Sequence, residues 1–293
     1  MKTIYFIALC LGAVLILSSL GKKDQPRYYQ ADESVANVLE RLGDTPLPHK
    51  PNMNVAGVSA ERGYDLMVRG IAGKPGGGKT RKQSKHFICT SCHNIKREDP
   101  DLSVSDPQAR LEYAAKNDDV HFLQGTAMYG AVNRTSFYND DYFKKYGQLV
   151  EKARNNLREA IQLCAVECAQ GRRLKSWELE SILAYLWTID LKMSDLIINA
   201  NDMKLIENAL TGNGDTAAAI DLIKAKYLQA SPATFVKPPD DRKAGYTEKG
   251  NAANGELIYE QSCLYCHEEG RPSFFRLDDS KMSLNFLDKH FPK

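Results

Sequence analysis

The pattern Cys-x-x-Cys-His occurs twice in the chain, as Cys89-Thr-Ser-Cys92-His93 and as Cys263-Leu-Tyr-Cys266-His267. Two thiols three residues apart share one helical turn, and the following His stands in register with both. That arrangement suits covalent attachment of a c-type haem: the thiols reach its two vinyl groups and the His meets the iron from the proximal side. A redox C-x-x-C or a zinc half-site would need only the cysteines. One zinc shared by both pairs would require distant segments to converge and would leave both histidines unexplained. The motifs therefore predict two covalently bound haem c groups. Cys89, Cys92, Cys263 and Cys266 are the attachment residues, and His93 and His267 are the proximal iron ligands.

A second motif lies just upstream of the first. Gly73 to Thr80 reads GKPGGGKT and fits G-x-x-x-x-G-K-[ST], the phosphate-binding loop of nucleotide hydrolases. A working loop of that kind joins a buried strand to a helix, so that backbone N–H groups face the phosphates. Here ERGYDLMVRGIA before it has helical spacing, and RKQSKH after it has no apolar face. The stretch is read as a basic loop on the approach to the first haem, and ATP is not expected as a ligand.

Charge and compartment narrow the classes further. The 39 Lys and Arg nearly balance the 37 Asp and Glu, so nothing in the charge balance points to nucleic acid. The chain opens with Lys2, an apolar run from Ile4 to Leu17, and the small-residue pattern Ser19-Leu20-Gly21. This is read as a signal peptide over 1–21, with an uncleaved N-terminal anchor as the rival. Either way the expected location is periplasmic or otherwise outside the cytoplasm, with a membrane contact only if the segment is retained.

Periodicity gives an all-α class. Residues 22–55 hold Pro26, Pro46, Pro48 and Pro51 among polar residues and read as an extended arm. SAERGYDLMVRGIA has Tyr64, Met67, Val68 and Ile71 along one side. In LVEKARNNLREAIQLCAVECAQ, Leu157, Ile161, Cys164 and Cys168 share a face, and Gly171 is read as the helix stop. SWELESILAYLWTIDLKMSDLI follows, with Ser176 as its expected N-cap and Leu179, Ile182, Leu183, Leu186 and Ile189 pointing to a core. Asp215 can cap TAAAIDLIKAKYLQ, SPATFVKPPDDRKAG reads as a linker, and NGELIYEQ leads into the second Cys-x-x-Cys-His. The expected division is a first haem c domain over 56–210, then a linker and short second haem c domain over 211–293.

The distal ligand of the first haem is open on the residues alone: His121, Met128, Cys164 and Cys168 are candidates. The two cysteines could equally be small buried residues or a disulfide pair, although a bridge between i and i+4 of a regular helix is awkward. The span from about Arg62 to Leu196 resembles the first haem domain of dihaem thiosulfate dehydrogenases and related sulfur-oxidation cytochromes. The shared features are the C-x-S-C-H site and a helix with Ile161 three before Cys164 and Gly171 seven after it. A helix carrying Leu183, Tyr185 and Trp187 then follows. The resemblance implies that Cys164 is the distal thiolate ligand and lies at the catalytic centre, ahead of Cys168, Met128 and His121.

Two departures accompany the resemblance. The family places basic residues beside that cysteine for an anionic substrate, whereas Glu167 and Cys168 stand here; Arg158, Arg172 and Arg173 are the nearby cations. Only 26 residues follow His267, and within them Met282 and His290 are the distal candidates for the second haem, with Met128 or an earlier His as alternatives. The expected protein is an exported dihaem cytochrome with two c-type cytochrome domains, the second short. It would pass electrons to a redox partner protein and oxidise thiosulfate or a similar small sulfur anion at a His/Cys-ligated haem. The competing expectations are an electron carrier or respiratory-complex subunit with no substrate of its own, and a haem-based sensor.

Overall fold

The computed structural model describes residues 28–233 and 235–264. The expected export segment, and Cys266, His267, Met282 and His290, lie outside the described residues. Within them the secondary structure is helical, and the only β pairings are isolated bridges, Ser34–Lys192, Gly73–Lys79 and Ser136–Ala230. The all-α expectation holds at that level. No helix among the described residues is long and apolar enough to cross a membrane.

The segment read as an extended arm contains a helix, α1 (Val35–Arg41). Its prolines flank VANVLER rather than interrupt it, so the seven-residue run is free to coil. Val35, Val38 and Leu39 are buried in a cluster with Leu191, Met193, Ile206, Ala219 and Ile223. The last three belong to α7 (Ala200–Leu210) and α8 (Thr216–Lys224). Asp215 caps α8 by accepting from Ala218 N at 3.1 Å, as its position suggested. Because α8 shares this core with α1 and α7, the boundary drawn at 210 runs through one packed cluster. After Gly43 the arm is extended, and it is held to the body: Asn52 N donates to Glu180 at 2.7 Å and Trp187 Nε1 donates to His49 O at 2.9 Å.

A second core forms around α2 (Ala60–Arg69) and α6 (Ser176–Leu186). The buried side of α2 is Gly63, Leu66 and Met67, one step round from the expected Tyr64, Met67, Val68 and Ile71. The shift has a simple origin. Gly63 carries no apolar side chain to register in a hydrophobic pattern, yet it is where α6 comes closest: a Cβ there would lie 1.9 Å from Ser181 O. Ser59 caps the start of α2 and Gly70, at φ 68°, ends it. On α6, Ile182, Leu183 and Leu186 are buried, with Leu179 and Ile189 packed beside them. Ser176 is its first residue, not its cap; the Glu178 carboxylate accepts from Lys175 N at 2.8 Å and from Arg172 at 2.6 and 2.7 Å.

The glycine-rich stretch turns back on itself after α2. Lys74 N donates to Gly78 O, Thr80 N to Ala72 O, and Ala72 N to Thr80 Oγ1. Gly77 and Gly78, at φ 96° and 72°, supply the left-handed positions this tight return needs. The chain continues into an extended run that lies along the end of α5 (Leu157–Leu163). Two further helices lie between, α3 (Pro107–Ala115) and α4 (Asp140–Tyr146), and Tyr142 of α4 lines the cavity. Near the C-terminal end, α9 (Ala252–Ile258) runs into a turn containing Cys263, and Phe122 N donates to Gln261 O at 3.1 Å.

The close crossing of α2 and α6 makes a direct prediction. Gly63→Ala forces backbone against backbone and should destabilise the protein by about 1–3 kcal/mol or more, the range for overpacked cores. Denaturant unfolding measures this; a variant as stable as the parent would show that the crossing is not tight.

Candidate functional site

Residues 88–93 wind into a tight turn in which Cys92 N and His93 N both donate to Cys89 O, at 3.2 and 3.0 Å. Ser91 Oγ accepts from Ile88 N and steadies its start. The His93 ring is set from behind. Its Nδ1 is 2.7 Å from Thr126 O, so that nitrogen carries the proton and Nε2 keeps a bare lone pair. Gly125 N donates to Cys92 O at 2.8 Å, and a Cβ on Gly125 would stand 2.4 Å from His93 Nδ1. Gly125 is thus the cradle against which the ring rests. Burial lowers the His93 pKa, an effect the Thr126 carbonyl partly opposes, and the ring is held neutral. Burial also pushes the Cys89 thiol up to about 11.

Across the core, α5 does not end as an ordinary helix. It widens into a π turn over Cys164–Cys168, in which Ala169 N reaches back five residues to Cys164 O at 2.8 Å. Gln170 then takes the left-handed conformation, φ 51°, one residue before the Gly171 read as the helix stop. Gly171 is required for another reason: a Cβ there would lie 2.4 Å from Gln83 O. Gln83 is buried and braces the turn, donating to Ala165 O at 3.2 Å and Arg172 O at 2.6 Å, while Ser84 Oγ donates to Ala169 O at 2.6 Å.

Between these two walls lies a cavity of about 310 Å³. Cys89, Cys92 and His93 line it together with Cys164, Cys168 and Met128. Three of the four distal candidates for the first haem are therefore in one cavity with the attachment motif; His121 does not line it, and its backbone carbonyl instead accepts from Asn94 Nδ2 at 2.7 Å. The shared face of α5 also holds, since Leu157, Ile161, Cys164 and Cys168 all border the space. The neighbouring Cys168 sulfur and burial hold the Cys164 thiol well above its ordinary range, and the Cys164 sulfur, with the Tyr138 hydroxyl, draws Cys168 below it.

The cations named from sequence are elsewhere. Arg158 is tied to Glu180 at 2.8 Å and to Lys50 O, and Arg172 is tied to Glu178. Neither borders the cavity, and of the basic run 81–86 only Gln83 does. The cation that does line the cavity is Arg134, whose guanidinium donates to Ala127 O at 3.0 Å and has no ion-pair partner among the described residues. Nothing local in the sequence marks it; the chain folds back past Gly130, φ 68°, to bring it there. Buried Glu98 ties the neighbouring segments by accepting from Asn94, Arg110 and Ala127 N.

The donor set can be matched to a cofactor. Among the described residues no cluster of three or more His, Cys, Asp or Glu side chains is arranged to hold a bare metal ion. A haem brings four ring nitrogens of its own and asks the protein for one or two axial ligands. A neutral imidazole with a bare Nε2, two thiols in its own turn, further thiols in the same largely apolar space and one guanidinium are a donor set that fits that demand. Cys263, of the second motif, is partly buried at the end of α9.

The cradle can be tested. Gly125→Ala should drive the His93 ring off the Thr126 carbonyl and lower stability by about 1–3 kcal/mol, whereas Gln124→Ala, one residue away, should change it by less than half of that. Equal stability of the two variants by chemical denaturation would remove Gly125 from the site.

Comparison with protein families, with curated proteins and with solved structures finds no match to this chain.

Proposed function

We propose that the chain is a dihaem c-type cytochrome that transfers electrons outside the cytoplasm. The observation that carries this reading is that Cys89, Cys92 and His93 border the same largely apolar cavity as Cys164. Cys89 and Cys92 would hold the first haem through thioether bonds, His93 would be its proximal ligand and Cys164 its distal ligand. Cys263, Cys266 and His267 would hold the second, with Met282 or His290 as its distal ligand. When bound, the haem supplies an iron that exchanges one electron at a time.

The protein's own residues set the terms of that chemistry. Thr126 O fixes the tautomer of His93, and Gly125 fixes the angle of its ring. A thiolate at the distal position stabilises ferric iron and lowers the potential, so the first site would pass electrons downhill to a second of higher potential. Arg134, partly buried at the cavity, would offer the haem a cation, and the apolar lining from Leu157, Ile161, Ile182 and Leu186 would keep water from it.

At the level of substrate we propose a sulfur anion such as thiosulfate, following the resemblance around Ile161, Cys164 and Gly171. The second reading is an electron carrier with no substrate of its own, and the exposed Glu167 carboxylate beside Cys168 favours it, since it would repel an anion at that point.

Two measurements test these statements. Cys164→Ala should change the absorption spectrum of the first haem and raise its potential; an unchanged spectrum removes Cys164 as the ligand. Thiosulfate added to the oxidised, haem-loaded protein should reduce it, and a flat trace together with rapid exchange with a second cytochrome selects the carrier.

A further inference from the structure

The wall opposite His93 holds a second pair of groups able to change oxidation state. Cys164 and Cys168 stand at the two ends of the π turn, and both border the cavity. Bridging positions four apart is awkward in a regular helix, but this turn is not regular. The five-residue reach from Ala169 N to Cys164 O, and the bond from Gly171 N to Ala165 O at 3.0 Å, widen the coil. In an α-helix residues four apart stand about 5–6 Å from each other between Cβ atoms, against the roughly 3.5–4.5 Å that a disulfide spans, so closing the bridge asks this widened turn to draw the pair slightly together. Gln83 and Ser84 hold the turn in this shape from outside.

The two sulfurs differ in access. Both border the cavity, but Cys164 is partly buried while Cys168 is exposed to solvent. A reagent too large for the cavity therefore meets Cys168 first, with Cys164 four residues back on the cavity wall. That is the arrangement of an entering thiol and a resolving thiol.

We propose that Cys164 and Cys168 are a reactive dithiol that closes to an intramolecular disulfide by exchange with an external disulfide. The Cys168 sulfur attacks one sulfur of the incoming disulfide RSSR, forming Cys168–S–S–R and releasing RS⁻. The Cys164 sulfur then attacks the Cys168 sulfur and expels the second RS⁻. Both thiol protons pass to the departing thiolates, so one dithiol and one disulfide become one disulfide and two thiols. The cysteine pair is oxidised by two electrons and the incoming disulfide is reduced by two. The consequence for the haem rests on the reading of Cys164 as distal ligand: the open dithiol has that sulfur available, and the closed form does not.

The experiment uses the haem-loaded full chain, freed of reductant and incubated with oxidised glutathione. The product is alkylated, denatured and digested without reduction by a protease that cuts after Glu. Glu167 lies between the two cysteines, so the cut leaves them on separate fragments that only a disulfide can join. The expected result is a joined pair, protected from alkylation, that separates on reduction. Cys164→Ser should stall with glutathione on Cys168, and Cys168→Ser should give no joined fragments. Full alkylation of both cysteines in the parent, or a glutathione adduct on parental Cys168 that never resolves, overturns the proposal. The spectrum of the same samples separates it from the ligand reading. Joined fragments with an unchanged spectrum support the dithiol and remove Cys164 as ligand; an altered spectrum in Cys164→Ala without joined fragments does the reverse.

Discussion

The cavity is the constraint on which the rest of the structure depends. Apolar cores pack to the density of organic crystals, and an unfilled hole is costly. Here about 310 Å³ of space is lined largely by apolar side chains, which give up the contacts that close packing would supply. The polar clamps around it make sense in the same terms. Gly63 lets α2 and α6 close one side, Gln83 and Ser84 hold the π turn on another, and Glu98 locks the segments that carry His93's supports.

The wall is chemically uneven, and that unevenness is what a redox cofactor would use. One side offers a neutral imidazole whose outer nitrogen is already committed to Thr126. The other offers sulfur, doubled by the pairing of Cys164 with Cys168. Arg134 contributes fixed positive charge, with Glu98 and Asp99 near enough to offset part of it. Desolvation of a guanidinium is expensive without a partner, so an anionic group on the guest would complete the balance.

The helices that line the cavity were legible because their apolar residues repeat with helical spacing. Leu157, Ile161 and Cys164 on α5, and Ile182, Leu183 and Leu186 on α6, are read correctly from that alone. The tight turn over Cys89–His93 shares the cavity with Cys164, and its pattern is visible in sequence because it is local to five residues. What escaped was whatever depends on a partner far along the chain. Gly63, Gly125 and Gly171 matter for what approaches them, which a sequence window does not contain. Gln83 and Arg134 look like ordinary polar residues until the fold brings Ala165 and the cavity to them. The widening of α5 was equally invisible, since Cys164 and Cys168 fall on one face in an α-helix and in a π turn alike. Helix α1 was missed because prolines on either side outweighed a short apolar run.

The central claim is that each Cys-x-x-Cys-His holds one covalent haem. A pyridine haemochrome spectrum of the intact protein, produced in a host able to attach c-type haem, tests it most directly. The account predicts two c-type haems per chain that remain bound through acid–acetone extraction. One haem, none, or a haem that extracts freely would contradict it.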